Sequence, residues 1–167
     1  MRRFVVMGVA GCGKTSVGLA VADALGAAFI DGDDLHPASN IAKMSAGQPL
    51  TDADRAPWLA KVGDALRRQK GTSLIGCSAL KRPYRDIIRQ AAGAAVGFLH
   101  LAGSRDVIAA RMGDREGHFM PLSLLDSQFA ALEPLQPDEA GLTVDIDQPF
   151  DAVVGDLISG IARIAAG

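Results

Sequence analysis

Residues 8–15 read Gly-Val-Ala-Gly-Cys-Gly-Lys-Thr and stand directly behind a short apolar run, Phe4-Val5-Val6-Met7. That order constrains the fold more than any other stretch. A strand that ends in a glycine-rich turn and restarts as a helix points a row of backbone N–H groups at one spot, where the helix dipole adds partial positive charge. A polyphosphate fits such a cradle, here built from Gly8, Val9, Ala10, Gly11, Cys12, Gly13, Lys14, Thr15 and Ser16. Lys14 has the reach for the outer phosphates, and the Thr15 hydroxyl suits Mg2+. A glycine-rich turn that binds nothing is the plain alternative. The strand before it and the amphipathic stretch from Ser16 to Leu25 behind it weigh against that reading.

The remaining pattern supplies the rest of an α/β fold. Apolar runs at 3–8, 27–31, 72–77, 96–101 and 142–146 read as strands. Helical patterns fall between them at 14–25, 52–69, 83–92, 104–112, 122–132 and 149–165, with a short helical piece near Ala38–Met44. Such alternation predicts βαβ units, a parallel sheet and helices on both faces, all in one domain. Two segments depart from it. The stretch of about 32–70 begins rich in Asp, Pro, Gly and Asn and reads as a substrate-binding insert. The stretch of about 111–121 reads as a lid.

Composition narrows the partners. The chain has 167 residues, enough for a sizeable core, and a formal net charge of −2, which excludes a nucleic-acid-coating surface. Any anionic ligand is therefore held by local cations. The two cysteines, Cys12 and Cys77, have no metal or redox spacing and read as structural thiols of a cytoplasmic protein. No run approaches the roughly 20 apolar residues of a membrane span. The N-terminal Met1-Arg2-Arg3 and its short apolar run end in the glycine loop, which rules out a signal-peptide reading.

Asp31, Asp33 and Asp34 crowd the end of the second strand. Carboxylates packed this closely repel one another unless a dication or a substrate hydroxyl faces them. In a phosphoryl-transfer site one acid helps to hold Mg2+ and another accepts the proton of the attacking hydroxyl. An acidic turn that caps the next helix is the bland alternative. The third strand ends Gly76-Cys77-Ser78-Ala79-Leu80-Lys81 with no carboxylate, which moves the metal role to Thr15 and the second-strand acids and argues against motor ATPases. Ser78 and Lys81 stand where a sugar hydroxyl or carboxylate is met, unless Lys81 is simply solvated. Thr51 to Asp54 has capping-box spacing, which leaves Arg55, near Trp58, unexplained by local structure. An Arg held by its stem is a bidentate carboxylate receptor. Arg111 and Arg115 share a helix face if the helix persists and close over nucleotide phosphates, unless they are ordinary surface arginines. His36 and His118 are ligand candidates, whereas His100 reads as a satisfied core residue.

Together these segments resemble the gluconokinase family. The resemblance is carried by Asp31-Gly32-Asp33-x-x-His36-Pro37, Asn40-Ile41-x-Lys43-Met44 and Gly47-x-Pro49-Leu50-x-Asp52-x-Asp54-Arg55-x-Pro57-Trp58-Leu59. It continues in Cys77-Ser78-Ala79-Leu80-Lys81-x-x-Tyr84-Arg85-Asp86, Arg115-x-Gly117-His118-Phe119-Met120, Ser127-Gln128-Phe129-x-x-Leu132-Glu133 and Val144 to Pro149. It implies a three-layer α/β/α kinase related to shikimate and adenylate kinases, with a five-stranded parallel sheet of order 2-3-1-4-5. It also implies ATP and Mg2+, transfer of the γ-phosphoryl group to the 6-hydroxyl of D-gluconate, and commonly a homodimer. By matching position Asp33 faces the attacking hydroxyl, and Asp31 serves metal or loop geometry. Arg55, Lys81 and Arg85 are the candidates for the gluconate carboxylate and hydroxyls, with no choice among them. Gln148 and Pro149 flank adenine, mostly through backbone. A kinase of another hydroxy acid such as shikimate, and a nucleotide-binding module without turnover, are the competing readings.

Overall fold

The computed structural model describes residues 1–113 and 122–166. Its strands are β1 (Arg3–Met7), β2 (Ala28–Asp31), β3 (Ser73–Gly76), β4 (Val96–Ala102) and β5 (Gly141–Asp145). They pair in parallel in the order β2-β3-β1-β4-β5, as expected. The helices are α1 (Lys14–Leu25), α2 (Ala38–Ser45), α3 (Asp52–Arg68), α4 (Arg82–Ala92), α5 (Arg105–Gly113), α6 (Leu122–Ala131) and α7 (Phe150–Ala166). The expected elements are all there, with ends that shift by a residue or so.

Strand alternation divides the interior into two cores. On β1, Phe4 and Val6 join Val17, Val21, Leu99, Leu101, Leu157 and Ile161 on one face of the sheet. Val5 and Met7 join Trp58, Leu59, Val62, Leu66, Ile88 and Phe98 on the other. Period-two geometry puts successive side chains on opposite faces, and burial of both faces makes the strand read as an unbroken apolar run. Each fully buried side chain of this kind contributes about 1.5–3 kcal/mol before entropy is counted.

Register decides where the site falls. Val5 lies opposite Ile75 of β3 and Phe98 of β4, so β1 is central and its carboxyl end is flanked on both sides. Asp31 lies opposite Gly76, so the ends of β2 and β3 reach the same level. The chain fills the sheet first toward β2 and only later toward β5. That reversal at β1 is where open α/β sheets bind ligands.

Candidate active site

The loop after β1 is shaped by backbone. Gly8, Gly11 and Gly13 have φ of 149°, 82° and 94°. Gly13 is the N-cap of α1 in the left-handed region, a conformation that a side chain would strain, and no side chain caps the helix. The first N–H groups of α1 are left for an anion. Val9 and Cys12 are buried, so they serve the cradle only through backbone, while Thr15 and Ser16 are exposed on the first turn of α1. The Lys14 ammonium donates to the carbonyls of Gly8 at 3.0 Å and Val9 at 3.1 Å. Two ties hold the loop from outside. Gly8 N–H donates to the Ser78 carbonyl at 3.2 Å, and Ala10 N–H donates to Gln128 Oε1 on α6 at 2.6 Å.

The acidic turn after β2 faces this loop. Gly32 opens a 3-10 turn (Gly32–Leu35), and a Cβ there would lie 2.3 Å from the Gly76 carbonyl, so only glycine lets the turn sit on β3. Asp31 accepts from Asp33 N–H at 3.0 Å and caps the turn, so the capping role is present in this side chain. The walls of the cleft desolvate Asp33 and Asp31 repels its charge; these raise its pKa against the opposing pull of Lys14 and His36. Lys14, Asp31, Asp33 and His36 are thus brought within electrostatic reach of one another.

The third wall comes from α3 and α4. Trp58 donates its indole N–H to the Gly32 carbonyl at 2.8 Å, which pins α3 to the acidic turn. The His36 ring stacks on Trp58 at 4.0 Å between centroids and 16° between planes. One turn earlier on α3, Arg55 Nη1 donates to the Leu50 carbonyl at 2.7 Å and approaches Asp52 at 3.7 Å. The cationic groups of Arg55 and Lys81 sit 5.6 and 5.8 Å from the Tyr84 ring centroid. Tyr84 in turn donates its hydroxyl to Asp52. Two cations gathered at one ring have the chemistry to receive a carboxylate. The expected capping box is complete: Asp54 N–H donates to Thr51 Oγ1 at 3.1 Å, and Thr51 N–H donates to the Asp54 carboxylate at 2.9 Å.

Arg85 is a correction. Its side chain has no exposure, and all five guanidinium N–H groups find acceptors. Glu139 takes two, at 2.8 and 3.0 Å, and the carbonyls of Ala79, Leu80 and Pro134 take the others at 3.0, 3.3 and 3.4 Å. It therefore has no donor to offer a substrate. Burial pushes the Glu139 pKa up, but hydrogen bonds from Arg85, Gln136 N–H and Arg89 outweigh it and hold the carboxyl at about 2. Arg85 instead braces the turn after β3, where Ala79 has a φ of 46°, left-handed for a residue with a Cβ. The brace sets the half-buried Ser78 and Lys81 on either side of Ala79 and Leu80. Beyond α6, Glu133 N–H donates to the Leu80 carbonyl at 2.7 Å and Arg82 N–H donates to the Glu133 carboxylate at 3.0 Å.

On the other flank, Arg111 of α5 donates to the Ile146 carbonyl and so ties α5 to the stretch after β5. Gln148 turns its amide to the Asp145 carbonyl at 2.8 Å and to Asp156 at 3.0 Å, and the Pro149 carbonyl accepts from Ala152 N–H as α7 begins. Arg115, His118 and most of the expected lid lie outside the described residues. His100 is buried as expected, yet its Nδ1 has no hydrogen-bond partner among the described residues.

A model of the shikimate kinase family matches residues 10–134. Among curated proteins, the thermosensitive gluconokinase of Escherichia coli K12 is 53% identical over 86% of this chain and 79% of its own length. The gluconokinase of Gluconobacter oxydans 621H is 49% identical over 94% and 89%. The chain belongs to the gluconokinase family. A solved gluconokinase from Sinorhizobium meliloti 1021 superposes with a TM-score of 0.91 at 49% identity, covering 98% of this chain and 93% of that one. Shikimate kinase from Aquifex aeolicus shares the fold, with a TM-score of 0.65 at 14% identity over 99% of each chain.

Against the gluconokinase motifs, sequence reading overlooked the residues that hold the site together. Tyr84, Asn40, Gln128 and Glu139 were each visible as letters, but no spacing rule ties Gln128 to Ala10 or Glu139 to Arg85 across such separations. Nor did Glu139 carry a signal, since the need of Arg85 for an acid follows only from its burial.

Proposed function

We propose that the protein transfers the γ-phosphoryl group of ATP to the 6-hydroxyl of D-gluconate, giving 6-phospho-D-gluconate. The observation that carries this reading is a chain of electrostatic neighbours. Asp33 feels Lys14 at the uncapped helix start and also His36, and His36 in turn feels Arg55, which shares the Tyr84 ring with Lys81. In-line transfer leaves the protein little covalent chemistry to do, so positioning and charge neutralisation do most of the catalysis. The loop amides and Lys14 hold the phosphates. Asp33 takes the proton as the hydroxyl oxygen bonds to phosphorus and the bond to the leaving β-phosphate oxygen breaks. Its raised pKa makes it a better base than an ordinary carboxylate. Arg55 and Lys81 receive the gluconate carboxylate, with His36 and Ser78 at its hydroxyls.

Thr15 and Asp31 offer hard oxygen ligands that fit Mg2+, which when bound would neutralise phosphate charge. Arg111 and Arg115 are assigned to the phosphates and His118 to the acceptor, with 111–121 as a lid, by family resemblance. Val9, Ala10, Cys12 and Ser16 join the nucleotide site through backbone, and Gln148 and Pro149 border the base. A homodimer rests on the same resemblance. Cytoplasmic residence is supported by two buried thiols, of which Cys77 is pushed by burial to about 12 and so is unreactive. Among the described residues no helix is long and apolar enough to cross a membrane.

A coupled assay with ATP and a panel of gluconate, other aldonates and shikimate tests the reading. Turnover should be highest with gluconate. Preference for shikimate would move the acceptor assignment to the hydroxy-acid alternative, and absence of turnover with every acceptor would favour a binding module.

A further inference from the structure

Asn40 sits in the first turn of α2, is 2% exposed and belongs to no part of the reaction described above. Its Nδ2 atom makes two contacts, 3.0 Å to the backbone carbonyl of Asp54 and 3.2 Å to Nδ1 of His36. A carbonyl oxygen only accepts, so the Asp54 contact settles which end of the amide is nitrogen. The second N–H of that nitrogen then meets His36 Nδ1, which must be bare, because two donors cannot share a hydrogen bond. A neutral imidazole with a bare Nδ1 carries its proton on Nε2. The stack on Trp58 removes the ring's freedom to swing away. Among the described residues Nε2 has no hydrogen-bond partner.

We propose that Asn40 is a positioning residue that locks His36 as the neutral Nε2–H tautomer, so that this N–H donates to a hydroxyl oxygen of the acceptor next to Asp33. The second half rests on the acceptor reading above. A polyol hydroxyl can give or take a hydrogen bond, so a site made only of acceptors leaves its rotation open. Asp33 is an acceptor. A neighbouring obligate donor fixes which oxygen turns toward which group, and keeps the reacting hydroxyl's proton aimed at the carboxylate. An imidazolium would instead draw Asp33 to itself. The groups that act on His36 oppose one another: burial and Arg55 disfavour its charge and Asp33 favours it, with the pKa held below the usual histidine range. The Asp54 carboxylate, on the far side of Asn40, is engaged by Lys43 at 2.7 Å.

Nitrogen-15 NMR of the whole protein reads the tautomer directly, with His36→Gln to assign the signal among the three histidines. At pH 7 wild type should show an unprotonated Nδ1 and a protonated Nε2. Asn40→Asp replaces the donor by an acceptor of nearly the same shape. It should give an Nδ1–H or charged ring and raise the gluconate KM about tenfold, with the ATP KM within about twofold. A wild-type ring that is charged or protonated on Nδ1 overturns the proposal, and so does an unchanged tautomer in Asn40→Asp. If that variant fails to fold, the wild-type spectrum still decides. Wild-type turnover with another acceptor and none with gluconate would unseat the gluconate reading and leave the tautomer result intact.

Discussion

The starts of α1 and α3 are finished in opposite ways. At α3 side chains close the start: Thr51 and Asp54 form a reciprocal capping box, and Lys43 neutralises the Asp54 carboxylate, whose pKa falls to about 2 chiefly through that bond. At α1 the cap is Gly13, no side chain answers the first N–H groups, and the loop ahead of it has three left-handed glycines. A helix start that the protein completes for itself is scaffold. One left open behind positive-φ glycines and a lysine is a candidate for a ligand. The same contrast runs through the two halves of the cleft. The proposed nucleotide side is mostly backbone and local in sequence; the proposed acceptor side is made of side chains gathered from the turn after β2, from α3 and from the turn into α4.

Breaking the open start should cost most. Lys14→Met should lower kcat by about 10³-fold or more, on the order of 4 kcal/mol of transition-state stabilisation, while thermal unfolding stays near wild type. A variant with near-normal turnover would remove the loop from the mechanism. Asp33→Asn comes next, with an expected loss of about 10²–10³ in kcat and nucleotide affinity retained. Wild-type kcat/KM should fall on the acid side as Asp33 protonates, at a pH above the 3.8 of an ordinary aspartate, and that limb should vanish in the variant. The sign for stability is the reverse. A carboxylate whose folded pKa is raised leaves stability untouched below the unfolded value and costs stability progressively as pH rises to the folded pKa, so Asp33→Asn should melt slightly higher at pH 7. If only the gluconate KM rises in Asp33→Asn, the residue binds and does not act as base.

Arg55→Lys sharpens the contrast from the other side. It keeps a charge but loses the planar fork, so the gluconate KM should rise about 10-fold to 100-fold with the ATP KM unchanged. Equal changes in both constants would mean that Arg55 supports the cleft as a whole. The smallest effect belongs to the closed start. Thr51→Ala should cost about 1 kcal/mol of stability, a fall of about 2–4 °C in Tm, and leave both KM values alone. A change in turnover there would erase the distinction between the two helix starts.

The nucleotide half was legible because its physics is local. A strand, a run of glycines, a lysine and a hydroxyl are contiguous, and each does its work through backbone geometry that the spacing itself implies. The capping box at Thr51 and Asp54 was legible for the same reason. The acceptor half was legible only as a set of candidates, and Arg85 shows why. As a letter it was a cation in a motif next to Tyr84, indistinguishable from Lys81; whether it faced ligand or Glu139 depended on a residue 54 positions away. Asn40 hid in the opposite manner, since an amide gives no hint of function until its two partners are known. Family resemblance supplied the acceptor's identity, which neither periodicity nor composition could reach.

One contact joins the halves that the two helix starts separate. Helix α6 gives Gln128 to the Ala10 amide of the nucleotide loop, and Glu133, two residues past its end, donates its N–H to the Leu80 carbonyl beside the proposed acceptor wall. A stiff rod attached at two points cannot yield at one without load at the other. If nucleotide and acceptor bind as proposed, α6 links the two places. By linkage, whatever the first ligand to arrive changes for the second, the second changes equally for the first. In this fold one helix and the turn behind it touch both proposed ligand sites, so any coupling between them has a physical route.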